Sequence, residues 1–141
     1  MTIINRSTLG RQTKDIRVVL AAATADEIVL FVNNLGQDIY ITGVSYTPDN
    51  AITGDDTNNM ALAVRNKGTA GTGTTAITST RTFNVAGGNV AAMDEVALTL
   101  STTAADLEVA ADAVVALNKT EAASGMALSG VITVEFVVKG V

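Results

Sequence analysis

The chain has 141 residues and a net charge of −5, and it contains no cysteine and no histidine. The lack of cysteine excludes disulfides, thiolate nucleophiles and zinc-thiolate sites. The lack of histidine removes the usual general base and the commonest transition-metal ligand. Aromatic residues make up only 4% of the chain, so the core must be built from aliphatic side chains. A chain of this length fits one domain with its own core.

The charge is distributed unevenly along the chain. Residues 1–17 carry a net charge of +3, which leaves −8 for the remaining residues; the cations are Arg6, Arg11, Lys14 and Arg17. An acidic body argues against nucleic acid as a partner, because phosphate binding needs clustered cations. No apolar run is long enough to cross a bilayer, and the first residues lack a signal-peptide pattern. We therefore expect synthesis in the host cytoplasm and no membrane partner.

The first segment, residues 1–15, has no hydrophobic periodicity and is rich in residues that disfavour regular structure. This predicts an extended basic N-terminal arm, followed by a β-sandwich domain over residues 16–141. The arm is either a frayed, solvated terminus or a segment that docks on an acidic neighbour.

Alternation of apolar residues with a period of two predicts the strands that follow. The first strand covers residues 16–21. The second covers residues 27–33, which are apolar on both faces and so predict a central strand. Residues 34–37 resemble a hairpin turn, and residues 38–46 form a third strand in which Gly43 marks a bulge.

The polar segment over residues 47–59 contains the only proline and many Asp and Asn residues. Such side chains bond their own backbone, which predicts an ordered loop without a core. A calcium site is the alternative, because oxygen ligands are dense here. The spacing does not match an EF-hand loop, which needs alternating ligands, a central glycine and a closing Glu.

Residues 60–66 alternate as a fourth strand. The Gly/Thr tract over residues 67–75 is not a P-loop, because no Lys follows Gly73. It is not a Rossmann loop either, because Ala76 stands where a third glycine is needed. The tract therefore predicts a flexible hairpin loop, and the Thr-rich residues 75–83 predict an outer, half-exposed strand.

The last third of the chain also alternates. Residues 96–100 predict a strand. Residues 104–122 fit both helical spacing and a strand-turn-strand arrangement, which the flanking strands favour and which places a strand at residues 113–118. Residues 120–130 predict a loop, and residues 131–139 form the clearest half-buried strand of the sequence.

These elements amount to about eight short strands with no clear helix, which predicts an all-β fold. The favoured architecture is an eight-stranded jelly-roll-like β-sandwich with an extended N-terminal arm. An immunoglobulin-like sandwich is the main alternative.

Three blocks carry a resemblance to a known family: residues 44–59 (VSYTPDNAITGDDTNN), residues 67–75 (KGTAGTGTT) and residues 104–112 (AADLEVAAD). With the strand to Asn66, they resemble small tailed-bacteriophage virion proteins, namely jelly-roll capsid decoration (cement) proteins and related head proteins. The resemblance covers roughly residues 24–138. The family pattern at the entry to this strand reads Gly-Asp, whereas this chain reads Ala-Asp-Ala, ending at Ala113. The resemblance therefore does not define the exact turn at this point.

The resemblance implies a homotrimer at three-fold axes of an icosahedral capsid, with the major capsid protein as partner, a location on the virion surface and no cofactor. Apolar residues beyond the needs of one sandwich interior also suggest a homo-oligomer. The first hypothesis is therefore a structural virion protein that stabilises contacts between capsid subunits. The proposed contact residues are Arg6, Arg11, Lys14 and Arg17.

The sequence leaves two other classes of function open. The first is a receptor- or carbohydrate-binding head module of a phage fibre or spike, because jelly rolls also serve as lectins. Sugar sites usually need an exposed aromatic platform, and most of the few aromatic residues are expected to be buried. The second is an enzyme, for which no catalytic residue, metal ligand or cofactor site can be named. The adjacent carboxylates Asp94 and Glu95 point to opposite faces of a strand and make a poor acid-base pair.

Overall fold

The computed structural model describes residues 10–140. These residues form ten strands and one short 3₁₀ helix, Ala104–Leu107. The strands are β1 Gln12–Leu20, β2 Asp26–Val32, β3 Ile39–Pro48, β4 Met60–Gly68, β5 Thr75–Ala76, β6 Arg81–Thr82, β7 Val96–Ala97, β8 Glu108–Val109, β9 Val114–Glu121 and β10 Leu128–Val138. Among residues 10–140, no helix is long and apolar enough to cross a membrane.

The strands form two antiparallel sheets. The first sheet has the order β1-β10-β3, with β7 and β8 both paired to the far side of β3. The second has the order β2-β9-β4, with β5 and β6 both paired to β4. If β5 and β6 are counted as one interrupted strand, and β7 and β8 as another, the described residues form eight strands. Their order is that of a jelly roll, so the predicted all-β sandwich is confirmed.

The interruption between β5 and β6 is caused locally by Thr78. The Thr78 hydroxyl oxygen accepts a hydrogen bond from the Val64 amide at 2.9 Å, and the amides of Ile77 and Thr78 both donate to the Val64 carbonyl. A side chain thus takes the place of a backbone acceptor, and the ladder is broken between β5 and β6. Both Ile77 and Thr78 are buried as a result.

The core lies between the sheets and is built from alternating side chains of the long strands. Along β10, every second residue from Leu128 to Phe136 is buried, as the sequence predicts for its clearest strand. The rings of Phe31 and Phe136 stack with centroids 6.3 Å apart, and those of Tyr46 and Phe83 meet edge to face at 6.1 Å. The few aromatic residues therefore hold the two sheets together.

The predicted bulge in the third strand is confirmed. Gly43 pairs with Glu135 and Ile41 with Phe136, so Thr42 is the extra residue on β3. The tract over residues 67–75 also joins two strands of a hairpin, β4 and β5, as predicted. Residues 104–122 adopt the favoured arrangement of strand, turn and strand, with the 3₁₀ helix added before β8.

The predicted start of the first strand, residue 16, is wrong by four residues. Strand β1 begins at Gln12, and residues 12–15 pair with residues 133–136 of β10, so they belong to the sheet and not to the arm. The inward side chains here include Gln12 and Lys14, which is why no apolar alternation marks this part of the strand. Residues 1–9 of the predicted arm lie outside the described residues.

Two predictions about the second strand are also wrong. Strand β2 pairs only with β9 within residues 10–140, so it is an edge strand, and Val29 on its outer face is 59% exposed. Residues 34–37 do not close a hairpin, because β2 and β3 belong to different sheets. The buried Asn33 shapes this crossover: its side-chain amide donates to the Gln37 and Ala110 carbonyls at 2.8 and 3.0 Å.

The loop over residues 47–59 is ordered by its own polar side chains, as predicted. The Asp55 carboxylate accepts hydrogen bonds from the amides of Thr57 and Asn58 at 2.7 and 2.8 Å. These two bonds lower the pKa of Asp55. In the part of the chain that the structure describes, no group of three acidic residues is placed to hold a metal ion.

Candidate interaction surfaces

Of the four cations predicted to contact a capsid, the three that the structure describes do not form one patch. Arg6 lies outside the described residues, and Arg11 is exposed immediately before β1. Lys14 points between the sheets, with its ammonium 5.4 Å from the centre of the Phe31 ring. Arg17 points outward from β1 but is engaged in an ion pair, so the three described residues have three different environments.

The ion pair of Arg17 joins β1 to the beginning of the loop over residues 49–59. The Arg17 guanidinium donates through both terminal nitrogens to the Asp49 carboxylate, with one contact at 2.7 Å. The Ser129 hydroxyl donates to the same carboxylate at 2.5 Å. Arg17, and then Ser129, lower the pKa of Asp49. This pair fastens a loop to the sandwich.

A second surface is the outer face of the second sheet, which we call the valine face. The register of β2, β9 and β4 places the following side chains on it: Val29, Val32, Ala63, Val114 and Ala116. Val29 and Val32 are 59% and 41% exposed, whereas Ala63 and Ala116 are almost fully covered by their neighbours. Only the β2 side of the face therefore presents largely exposed apolar side chains to solvent.

Charged side chains border the valine face. Lys67 on β4 and Glu27 on β2 meet across β9, with the ammonium 2.9 Å from a carboxylate oxygen. Arg65 also points outward from β4, because it pairs in register with Ala116, and it forms no ion pair within residues 10–140. Cations thus lie on the β4 side of the face and an anion lies on the β2 side.

The ion pair forms one wall of a shallow groove on the valine face. The groove has a volume of about 390 Å³ and is lined by Glu27, Val29, Lys67, Gly71, Val114 and Ala116. Three of these residues are apolar, and Gly71 belongs to the loop between β4 and β5. Apolar residues form the floor of the groove and charged residues its walls. Such a groove can accommodate a protein surface that carries both apolar and charged groups.

A third surface is the end of the sandwich where four loops meet, residues 21–25, 49–59, 83–95 and 122–127. We call it the loop end. It contains an open cavity of about 320 Å³, lined by residues that include Tyr46, Pro48, Ile52 and Met126. Met93 and Val85 protrude from the loop over residues 83–95 and are 71% and 63% exposed. The loops over residues 47–59 and 67–75 lie at opposite ends of β4.

Below the loop end, a charged pair is buried in the sandwich. Lys119 is 1% exposed and forms an ion pair with Glu121, the next inward residue of β9. The Lys119 ammonium also donates to the carbonyls of Ala21 and Thr24 at 3.3 and 2.9 Å. Burial lowers the pKa of Lys119. The pair connects the loop over residues 21–25 to the strands beneath it.

The aromatic side chains do not provide a platform for stacking a sugar on these surfaces. Tyr46, Phe31, Phe83 and Phe136 are buried, and Tyr40 is half-buried on the outer face of the first sheet. Most of the aromatic residues are therefore in the core, as the sequence predicts.

Sequence reasoning found part of the valine face and missed the rest. Apolar residues on both faces of residues 27–33, Val29 among them, indicate more apolar surface than one core needs, although they also favour the wrong prediction of a central strand. Val114 and Ala116 were missed, because only the pairing of β9 between β2 and β4 shows that they extend the same surface. Lys119 was missed as well, since a lysine just after the end of a predicted strand gives no sign of burial.

Comparison with known proteins adds little to this description. No family model matches the chain, and no curated protein matches it. Among solved structures, the chain is similar to a chain in the "Structure of infectious bursal disease virus Gx strain". The similarity has a TM-score of 0.39 and 13% sequence identity, and it covers 93% of this chain. The chain spans only about a third of the length of that chain, with 33% covered. At this level the similarity gives no information about the role of the protein.

Proposed function

We propose that this protein is a structural virion protein that binds the outer surface of an icosahedral phage capsid and stabilises contacts between major capsid subunits. The observation that carries the proposal is the valine face, where Val29 and Val32 expose apolar surface on a regular, well-ordered sheet. A sandwich that acts alone keeps such outward positions polar, whereas a protein that adheres to neighbours does not. The neighbour is proposed to be a capsid because of the resemblance to decoration proteins, which lies in residues 44–59, 67–75 and 104–112.

The fold supports a role that depends on area and not on chemistry. The jelly roll offers two broad sheet faces and a loop end, and each can contribute a modest contact. Many modest contacts that act together on one particle add up to strong attachment. The proposed partners are the major capsid protein and further copies of this chain, with trimers at the three-fold axes as the resemblance implies.

The structure reduces the set of cations available for a capsid contact. Lys14 and Arg17 are engaged with Phe31 and Asp49 of their own chain. Arg11 is exposed at the entry to β1, and Arg6 precedes it in the sequence. We therefore propose that Arg6 and Arg11 contact the acidic surface of the shell, while Lys14 and Arg17 act on the fold.

The test is a sedimentation assay with expanded, empty shells assembled from the major capsid protein of the virus that carries this gene. We expect the full chain to sediment with the shells at micromolar concentration. Arg11→Ala should weaken binding roughly fivefold, because an exposed ionic contact contributes up to about 1 kcal/mol. The effect should shrink at high salt.

The matched control is Lys139→Ala, which removes an exposed cation at the same end of the sandwich, where Lys139 pairs with Glu108 of its own chain. This variant should bind shells like the parent chain. A full chain that stays in the supernatant at every shell concentration overturns the proposed function. Equal weakening by both variants would remove Arg11 from the contact.

A further inference from the structure

We propose that the buried ion pair of Lys119 and Glu121 holds one wall of the loop-end cavity closed, and that this wall opens as a single unit when the pair separates. The wall consists of residues 21–25 and 125–127, and we call it the Lys119 wall. The inference goes beyond the proposed function and does not rest on it, because it concerns a motion within one copy of the chain.

The first argument is that one ion pair is bonded to both segments of the Lys119 wall. The Lys119 ammonium donates to the carbonyls of Ala21 and Thr24 at 3.3 and 2.9 Å. The Glu121 carboxylate accepts a hydrogen bond from the Met126 amide at 3.0 Å, and it is ion-paired with Lys119. Separation of the pair would therefore release both segments together.

The second argument is that the Lys119 wall has few apolar contacts of its own. Residues 21–25 contain four exposed alanines and the half-buried Thr24. In the other segment, Met126 packs against the core and Ala127 is exposed. Segments with few buried apolar contacts open at a lower free energy than the sheets beneath them. The polar contacts of the buried pair therefore decide whether this wall stays closed.

The third argument is backbone strain in the first segment. Ala23 has a φ of 59°, a left-handed conformation that is unfavourable for a residue with a side chain. Its neighbours Ala21 and Thr24 are the two residues whose carbonyls bind Lys119. The lysine thus holds a strained turn in place, and opening would relieve the strain.

The opposite wall of the cavity, residues 50–53, is fixed in a different way. Ile52 exchanges two backbone hydrogen bonds with Val90, at 2.8 and 3.0 Å. Asp49, which precedes this wall, is held by its ion pair with Arg17. Because these contacts do not involve Lys119 or Glu121, the opposite wall is expected to stay in place when the Lys119 wall opens.

The second segment of the Lys119 wall begins at Gly125. Two amides of residues 122–124 donate to the Asn58 side chain and the Asn59 carbonyl at 3.1 and 3.0 Å, so these residues are attached to the loop over residues 49–59. Gly125 has a φ of +61° and lies directly against the Glu121 carboxylate, so a side chain at this position would collide with it. The carboxylate would then have to move away from Lys119.

The test follows two probes of the same opening in the full chain. Acetylation of lysines by an N-hydroxysuccinimide ester, mapped by mass spectrometry, measures access to the Lys119 amine. Hydrogen exchange by NMR measures opening at the Met126 amide. Lys119 should react about 100-fold or more slowly than the exposed Lys139, because it reacts only in the open state. The opening constants from the two probes should agree, and the opening free energy should be smaller than that of global unfolding in urea.

Two glycine variants make the test specific for the ion pair. Gly125→Ala and Gly71→Ala both place a side chain on a residue with positive φ, but a side chain at Gly71 meets no other atom within 4 Å. Gly125→Ala should speed the acetylation of Lys119 about tenfold, because it adds a collision with the Glu121 carboxylate to the backbone strain. Gly71→Ala should leave the rate unchanged.

Four outcomes would overturn the inference. Three are observed on the parent chain: Lys119 reacts as fast as Lys139, Lys119 reacts only through global unfolding, or the two probes give different opening constants. The fourth is an equal effect of Gly125→Ala and Gly71→Ala on Lys119. The three measurements on the parent chain decide the matter if Gly125→Ala fails to fold, which circular dichroism detects.

Discussion

At the scale of single residues, the buried pair of Lys119 and Glu121 has the largest expected effect on stability. Both are inward residues of β9, and the side chain of Lys119 is 0% exposed. A buried ion pair adds little net stability compared with an apolar pair, but the loss of one partner leaves an uncompensated charge in the core. The Glu121 carboxylate is also an acceptor for the Met126 amide at 3.0 Å.

We predict that Lys119→Met lowers the free energy of unfolding by about 3–5 kcal/mol at neutral pH, because Glu121 remains charged and buried. The double variant Lys119→Met/Glu121→Leu should lose clearly less, because no unpaired charge remains. Chemical denaturation of the parent chain, Lys119→Met, Glu121→Leu and the double variant gives the coupling energy. A double variant that is as unstable as Lys119→Met would contradict this account.

The Arg17–Asp49 pair predicts how stability depends on pH. The pKa of Asp49 is lowered in the folded state by Arg17 and Ser129. A carboxyl group with a lowered folded pKa contributes stability above its unfolded pKa, about 3.9, and this contribution is lost as the pH falls through the folded pKa. Asp49→Asn should therefore be less stable than the parent chain at pH 6, and the difference should shrink below pH 4.

Urea midpoints of the two proteins between pH 6 and pH 2, followed by circular dichroism, test this prediction. Asp94→Asn serves as a control, because Asp94 is an exposed loop carboxylate outside the Arg17 pair. If the difference between Asp49→Asn and the parent chain is the same at pH 6 and pH 2, Asp49 does not act through its charge.

At the scale of elements, the four sheet edges are each protected against further strand pairing. Strand β1 has the inward-pointing Lys14, and β2 has a bulge and two acidic residues. On the opposite side, the edge strands are two residues long, as in β5 and β7. Inward charges, bulges and short edge strands are the usual devices that prevent edge-to-edge aggregation. The described sheet edges are therefore protected against edge-to-edge pairing.

We predict that Lys14→Val increases aggregation, because it removes the inward charge from the β1 edge and makes the strand more apolar. The matched control is Thr13→Val, which adds an apolar side chain to the outward face of the same strand. Light scattering at 37 °C should rise faster for Lys14→Val than for Thr13→Val. Equal rates would mean that hydrophobicity alone, and not the inward charge, controls aggregation.

At the scale of the whole molecule, the two ends of the described chain are neighbours. Strand β1 pairs with β10 along its full length, and residues 12–15 contact residues 133–136. Such pairings join residues that are far apart in sequence, so the loop-closure cost is high and folding is expected to be slow. The N-terminal part of β1 closes the first sheet on this side.

We predict that a chain beginning at Ile16 is roughly 2–4 kcal/mol less stable than one beginning at Gly10, because several ladder hydrogen bonds of about 0.5–1.5 kcal/mol each are lost. The second chain keeps all of β1 and is the matched control. Guanidinium denaturation of both, compared with the full chain, measures the difference. Equal midpoints would show that residues 12–15 do not belong to the folded domain.

Much of the fold could be predicted from local pattern. The strand over residues 131–139, the bulge at Gly43 and the turn before β9 all follow from the alternation of side chains and from turn chemistry, which depend on neighbouring residues alone. The same reasoning failed at Gln12, where polar inward residues hide the strand. It also failed at residues 34–37, where the chain crosses between sheets instead of turning back.

The amino-acid sequence alone determined the all-β class, the aliphatic core and the lack of cysteine and histidine chemistry, because composition and a period of two are properties of the local chain. The position of each strand in a sheet was settled only by long-range packing, which made β2 an edge, turned Lys14 and Lys119 inward and brought Val114 beside Val32. Residues that become neighbours in this way are separated by tens of positions in the sequence. Their contacts depend on how the two sheets stack, and no local window contains that information.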